Sequence, residues 1–355
     1  MWIMKVIAVI GCGRISRTHF PALERVDGIR IKYACDLIEE KAQYAKDNYS
    51  KVENITTDYH RVLADPEVEA VWVLTPNYAH YTVTMDALRA GKHVFCEKPI
   101  TVNYELSKEM ADEANKRGLM LNIGVVNRYR KSIEKLAEMN REGKFGNIYH
   151  VYCSFRAFRS IPGLGGPFTT KEQSGGGVLI DWGVHFFDLI MYILGGETEL
   201  VNLTADSYNE VGKDMKAYKH DVPMWAEDTS DVENGTMDVD DFITGYIRTN
   251  NASISFNGAW AQNINKTEMF VDFMGDKGGA RLSYGKNFEF YDGTTLETIP
   301  NEEKDPNPFV CEDAAFLEAI ETGVKSRSHV DNVLITAKLM QGLYDSAAEK
   351  KEIIF

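Results

Sequence analysis

The chain has 355 residues, 44% hydrophobic and 26% charged, with a net charge of -14. A single core serves roughly 250–300 residues, so this length predicts two domains, and the composition is that of a folded globular chain. The acidic balance argues against a nucleic-acid partner, and five dispersed cysteines with no C-x-x-C pair argue against a disulfide framework; reduced thiols of this kind fit a cytoplasmic protein.

Residues 1–9 are a short apolar run without a basic flank or a small-residue cleavage site. They read as a strand, not a signal peptide. No apolar run reaches the roughly 18–20 residues of a membrane helix, so no membrane partner is expected. Strands are predicted at 4–10, 29–36, 70–74, 93–96 and 120–124, with helices at 16–26, 39–48, 78–90 and 103–116 between them. Such alternation implies a parallel sheet with right-handed crossovers. After about Arg128 the pattern changes. One helix at 131–142 precedes strands at 148–158, 199–206, 239–248, 252–260, 267–274 and 279–283, several joined by hairpin signals. Helices at 312–321 and 332–349 close the chain. The fold class is therefore α/β: an N-terminal Rossmann parallel sheet, residues 1–126, plus a C-terminal α+β domain with a large, mostly antiparallel open sheet, residues 127–355. The last helix is free to pack back on the first domain.

Gly11-Cys12-Gly13-Arg14-Ile15-Ser16 follows a strand and opens a helix. It is G-x-G-x-x-G with serine third. Gly11 permits the tight turn, Gly13 admits a pyrophosphate to the backbone, and the helix N-terminus favours its charge. Gly11, Gly13, Arg14 and Ile15 are the candidate contacts. The competing reading is an ordinary strand-to-helix turn. Asp36 ends the second strand, 23 residues after Gly13. A carboxylate there accepts ribose hydroxyls and repels a 2′-phosphate, which selects NAD over NADP.

Two further segments stand at carboxyl ends of parallel strands, where ligands bind: Thr75, Pro76, Asn77 and His80 in the first, Glu97-Lys98-Pro99 in the second. A third runs from Ser174 through three glycines to Asp181 and His185. In a helix these two lie four residues apart on one face, with Asp188 three further on. Lysine, aspartate and histidine can move a hydroxyl proton while hydride leaves the carbon. Two alternatives are a hydrogen-bonded core histidine and, behind both, a metal held by His185 with carboxylates; no metal is expected, since NAD chemistry needs none.

Gly11-Cys12-Gly13, Thr75 to His80, Glu97-Lys98-Pro99, Asn127-Arg128-Tyr129 and Asp181-Trp182-Gly183-Val184-His185, in this order and spacing, resemble the Gfo/Idh/MocA oxidoreductase family over essentially the whole chain. The resemblance implies Lys98, Asp181 and His185 around the reacting carbon of a sugar or polyol. His185 would be the general base, Lys98 would orient the hydroxyl, and Asp181 would position substrate. Asn127 would lie near nicotinamide and substrate, and Arg128 and Arg159 are further substrate candidates. Residues 158–171 are similar to a narrower subgroup that oxidises pyranosides or anhydrosugars at C3. Asn257 departs from the glutamate that many such members carry.

The leading expectation is therefore reversible hydride transfer between NAD and a secondary hydroxyl of a sugar, glycoside or cyclitol. The alternatives are a glycosidase with retained NAD, acting by transient C3 oxidation, and a non-catalytic NAD or sugar sensor; the full Lys98, Asp181 and His185 set argues against a sensor. A homo-dimer or homo-tetramer through the open C-terminal sheet is expected. Residues 207–237 form a long connection over the substrate site or a subunit contact, with Tyr218 and Trp225 as anchors.

Overall fold

The computed structural model describes residues 4–221, 226–299 and 307–355, which form two compact units. Residues up to 129, together with 307–334, make the first unit. Residues from 130 to 299 and from 335 to 355 make the second. The chain thus divides after Tyr129, and residues 307–334 group with the N-terminal part.

The first unit is built from apolar strands alternating with helices: β1 (Lys5–Ile10), α1 (Ser16–Arg25), β2 (Ile29–Cys35), α2 (Glu39–Asn48), β3 (Val52–Thr56), α3 (Tyr59–Ala64), β4 (Ala70–Val73), α4 (His80–Arg89), β5 (His93–Glu97), α5 (Tyr104–Arg117) and β6 (Leu121–Gly124). Helix α5 shows how the local sequence sets the bounds. The Asn103 side chain accepts from the N–H groups of Glu105 and Leu106, and Gly118 stops the helix at φ 67. The six strands pair in parallel in the order β3-β2-β1-β4-β5-β6. The order reverses between β1 and β4, the point where doubly wound sheets bind ligands. A core of Ile7, Val9, Trp72, Phe95 and Phe316 lies beneath.

The second unit contains α6 (Lys131–Arg141), β7 (Ile148–Arg156), α7 (Lys171–Ser174), α8 (Val184–Leu194), β8 (Leu200–Tyr208), β9 (Phe242–Thr249), β10 (Ser253–Ala259), β11 (Glu268–Gly275), β12 (Gly279–Ser283), β13 (Phe288–Tyr291) and β14 (Leu296–Ile299). Two more helices follow, α9 (Pro308–Thr322) in the first unit and α10 (Val330–Glu349), which continues from the first into the second; β15 (Ile353–Ile354) then ends the chain. Nine strands pair in the order β14-β13-β12-β11-β7-β10-β9-β8-β15. Every pair is antiparallel except β7 with β10. One face is packed. Phe155, Phe187 and Phe256 interlock there, with Phe155 stacked on Phe186 of α8 at 5.0 Å. The other face carries partly exposed side chains such as Tyr152, Tyr246 and Phe270.

Three differences from the sequence reading have physical causes. β3, α3, β13, β14 and β15 are additions; β3 and β14 carry exposed residues and no continuous apolar run, so periodicity does not reveal them. Residues 179–183 form a π turn, not plain α-helix. Finally, the stretch 171–194 is long and apolar enough to cross a membrane, but 72% of its most apolar window is buried inside the fold, as in a core helix.

Candidate functional site

Each unit presents its own set of functional side chains. In the first, Gly11 adopts φ +99, and a Cβ there would lie 2.5 Å from the Leu74 carbonyl oxygen. Only glycine fits that turn. A Cβ on Gly13 would meet nothing within 4 Å. The protein's own packing therefore leaves a backbone-lined cradle open beside Gly13, at the start of α1. No side chain caps that helix, and its first turn carries no acidic residue. Ser16 is buried and turns its hydroxyl back to the Gly13 carbonyl at 2.6 Å. Arg14 is exposed and Ile15 half-buried beside the cradle.

Asp36 stands where the sequence reading put it, just past β2. Its Oδ2 accepts from the Cys12 N–H at 2.8 Å and its Oδ1 from the Ile38 N–H at 2.9 Å. The carboxylate thus fixes the glycine turn and is still half-exposed. Past β4, the Thr75 hydroxyl is buried without a hydrogen-bond partner among the described residues. An open cradle, a half-exposed carboxylate and an orphaned hydroxyl around one sheet edge fit a dinucleotide.

Three residues of the expected contact set face inward instead. His80 is 1% exposed, with Nδ1 at 2.7 Å from the Pro99 carbonyl and Nε2 at 2.9 Å from the Thr75 carbonyl. Two acceptors require two N–H donors. Burial opposes that charge, but Cys96 and the two carbonyls outweigh it and push the imidazole up to about 9. His80 therefore ties the loops after β4 and β5 together, both ring nitrogens engaged by main-chain carbonyls. Glu97 is 5% exposed; its Oε2 accepts from the Lys98 N–H at 2.9 Å, and its Oε1 lies 2.9 Å from His19 Nε2. Both oxygens serve the protein. Arg128, 2% exposed, donates to the carbonyls of Arg327 and Asn332 at 2.6 and 2.9 Å. Its guanidinium anchors residues 327–332. Lys98 remains half-buried at the end of β5, and Asn127 is buried in the turn Val126–Tyr129. The Lys98–Pro99 peptide is cis.

Sequence reasoning missed His19 and Asp313. His19 on α1 is fully buried between Glu97 and Asp313, whose Oδ1 lies 3.3 Å from His19 Nδ1 and accepts from Trp72 Nε1 at 2.8 Å. Burial alone would depress the imidazole, but the two acids push it up to about 10. No local motif marks these partners.

In the second unit, Asp181 lies in the π turn and His185 in the first turn of α8. A π turn has more than 3.6 residues per turn, so Asp181 and His185 do not share a face by plain α-helical spacing. Asp181 is 9% exposed and His185 half-buried. What pins this segment is Asp240, also missed. Its carboxylate accepts from the N–H groups of Gly177 and Leu179 at 2.8 and 3.0 Å and from the Tyr344 hydroxyl at 3.0 Å. Burial pushes Asp240 up to about 6. The glycine run is explained by close approach: a Cβ on Gly177 would sit 1.9 Å from the Asp240 carbonyl oxygen, and one on Gly176 would sit 2.0 Å from the Tyr344 hydroxyl.

Arg159 reaches main-chain oxygens of Phe158 and Gln262 and the Asn263 side chain. With Phe158, Tyr218 and His220 it also lines a cavity of about 390 Å³. Tyr218 is an anchor as expected, accepting from the Ile161 N–H at 3.2 Å. Trp225 lies outside the described residues. Asn257 donates to the Tyr152 hydroxyl and accepts from Thr244 on the sheet. Among the described residues no group of three or more His, Cys, Asp or Glu side chains is placed to hold a metal.

Comparisons with known proteins identify the family. Residues 5–125 match the model of the oxidoreductase family with an NAD-binding Rossmann fold, and residues 133–281 match the GFO/IDH/MocA C-terminal domain. The chain is 29% identical to D-glucoside 3-dehydrogenase of Escherichia coli over 346 residues, 96% of this chain and 95% of that one. It is 30% identical to myo-inositol 2-dehydrogenase of Thermotoga maritima over 195 residues, 55% of this chain and 56% of the other. Among solved structures, levoglucosan dehydrogenase with NADH and levoglucosan superimposes with a TM-score of 0.83 at 20% identity, covering 99% of each chain. The chain belongs to the Gfo/Idh/MocA family of NAD-binding oxidoreductases.

Two predictions follow from the inward-facing residues. Arg128→Met should lower stability by about 1–3 kcal/mol, because the carbonyls of Arg327 and Asn332 lose a charged donor, yet leave the substrate KM of the folded fraction nearly unchanged. Thermal melts and kinetics on the same sample check this, and a large rise in KM with unchanged melting would restore a substrate role. The second concerns alkaline stability. His19 is raised from 6.5 to about 10 in the fold. Between those values the unfolded chain binds fewer protons than the native one, so stability falls as pH rises. The contribution is fully present below about pH 6.5 and is lost through about pH 10. Melting temperature followed across this window should fall more steeply in wild type than in His19→Gln.

Proposed function

We propose that this chain is an NAD-dependent dehydrogenase of a secondary hydroxyl on a sugar, glycoside or cyclitol, with C3 of a glycoside as its first candidate. The observation that carries this reading is the similarity to D-glucoside 3-dehydrogenase, which runs over nearly the whole of both chains, whereas the inositol dehydrogenase similarity covers about half. Lys98, Asp181 and His185 are the residues assigned to the chemistry. The Lys98 ammonium donates a hydrogen bond to the reacting hydroxyl and steadies negative charge on its oxygen as the proton leaves. His185, neutral at Nε2 or Nδ1, takes that proton. Asp181 holds a neighbouring hydroxyl or the imidazole in line. Bound NAD supplies the hydride acceptor. Asp36 receives the adenosine ribose hydroxyls and the Gly13 cradle the pyrophosphate, so neither Lys98 nor His185 is needed to bind cofactor.

Purified protein mixed with NAD and a panel of methyl glucosides, levoglucosan and inositols should produce NADH absorbance. Lys98→Ala and His185→Ala should each lower turnover ~10²–10⁴-fold with NAD affinity nearly intact. Asp36→Ala should narrow the preference for NAD over NADP. A folded His185→Ala protein with wild-type turnover would end the general-base assignment. Aglycone release with tightly held NAD and no net NADH would favour the glycosidase route instead.

The partly exposed face of the nine-stranded sheet, with Tyr152, Tyr246 and Phe270, supports assembly with a second copy of the chain. Light scattering should give a mass of two or four chains. A monomer at micromolar concentration would count against this assembly.

A further inference from the structure

We propose that His19 is a positioning residue for Lys98, and that Asp313, from a helix nearly three hundred residues later, keeps it in the form that does so. The inference rests on the role assigned to Lys98 above, but its geometry lies entirely within the first unit.

The chain of contacts is short and buried throughout. The Glu97 carboxylate folds back on the next residue, its Oε2 accepting the Lys98 main-chain N–H at 2.9 Å. Its other oxygen lies 2.9 Å from His19 Nε2, and the far side of that ring is 3.3 Å from Asp313. Asp313 is held in turn by Trp72 Nε1 at 2.8 Å. Side chains of Glu97, His19 and Asp313 are 7%, 0% and 0% exposed. Glycine at 124 leaves room for this carboxylate: a Cβ there would lie 2.6 Å from Glu97 Oε1.

The groups facing His19 can be named element by element. Glu97 and Phe95 come from β5, and Asp313 and Phe309 from α9. Glu312, also on α9, acts on Tyr129 instead. Two acids and two aromatic rings therefore surround one imidazole. With both ring nitrogens facing carboxylates, the imidazole needs both protons, and it then donates to Glu97 as a cation. A charge-assisted hydrogen bond is roughly twice as strong as a neutral one. It fixes Glu97, and Glu97 fixes the main chain at which the Lys98 side chain departs. His19 also sits one turn into α1, its N–H bonded to the Ile15 carbonyl at the glycine loop. The residue whose ring holds Glu97 is thus tied through its main chain to the glycine loop.

Removing Asp313 leaves Glu97 as the one acid holding the second proton. In Asp313→Asn the imidazole then loses its charge within the range of an enzyme assay, and Lys98 loses its aim as pH rises. The test uses the full chain with NAD and whichever sugar of the panel is turned over. The ratio of kcat at about pH 9 to kcat at about pH 7, taken relative to wild type, should fall ~tenfold in Asp313→Asn, while NAD affinity by calorimetry changes less than ~threefold. His19→Gln should lower kcat at every pH by a similar factor, without the added pH dependence. If Asp313→Asn fails to fold, nitrogen-15 histidine spectra of wild type against His19→Gln decide: the resonance lost in the variant should be that of a ring still doubly protonated at about pH 8. A wild-type pH profile in folded Asp313→Asn overturns the proposal, as does a His19 ring already neutral at that pH. The spectra and the NAD titration need no sugar, so failure to find a substrate would strike the proposed activity and leave this inference to stand or fall separately.

Discussion

The buried imidazole between Glu97 and Asp313 is the constraint on which much of the first unit turns. Three ionisable groups are taken out of water there, at a cost of several kcal/mol each that mutual attraction only partly offsets. Trp72, Phe95 and Phe316 already pack α9 against the sheet with centroid separations of 5.1–5.9 Å. Apolar side chains in place of the charged trio would hold α9 equally well. What apolar side chains cannot do is fix the orientation of a carboxylate at the end of β5. The cluster is better understood as a device of position than of stability. It also explains why residues 307–334 group with the parallel sheet: Asp313 has its hydrogen-bonding partners on α1 and β4.

A comparable solution appears in the second unit with different parts. Asp240 and Asp241 are adjacent, and each takes main-chain N–H groups from a different segment. Asp240 holds Gly177 and Leu179, just before the π turn of Asp181. Asp241 holds Val211 and Gly212 at 2.7 Å each, at the start of the long connection that lines the cavity beside Arg159. One dipeptide therefore anchors both the segment bearing Asp181 and the wall of a pocket. The glycine run 175–177 belongs to this arrangement. Read as sequence it looks like a flexible hinge, yet two of its glycines are required by close approach to Asp240 and Tyr344. Chain flexibility is not what they provide.

The alternating strands and helices of the N-terminal part, the glycine turn and Asp36 were legible because each is a local signal with a fixed period or spacing. The antiparallel sheet was legible in outline, through its hairpins. The edge strands β3 and β14 were not, because a strand with few apolar contacts carries no period; β13 alternates, but over only four residues, too short to stand out. His19, Asp313 and Asp240 were invisible for another reason. Their meaning lies in partners 294, 78 and 63 residues away, and no window of sequence holds both ends. The π turn was missed because one inserted residue leaves the hydrophobic pattern of a helix almost intact.

The residues at the strand ends show how burial sorts a motif. Glu97, His80 and Arg128 all stand in or beside motifs at strand ends, and all are buried with partners inside the fold. A strand end has two sides, since successive side chains alternate. At the end of β5, Glu97 turns into the protein and Lys98 follows it at the half-buried rim. At the loop after β4, His80 turns in and spends both nitrogens on main-chain carbonyls, while Pro76 and Asn77 stay at the surface. A motif therefore divides between residues that touch the ligand and residues that hold the first group still. The division follows from cost. A charged group at the rim keeps its water and can change partners during turnover, whereas one turned inward must find fixed partners at once. Asp240, which accepts main-chain N–H groups, and His80, which faces a main-chain carbonyl at each nitrogen, meet that demand. The positioning residues of such a site should be sought beneath the motif, among polar side chains whose every hydrogen bond is made within the fold.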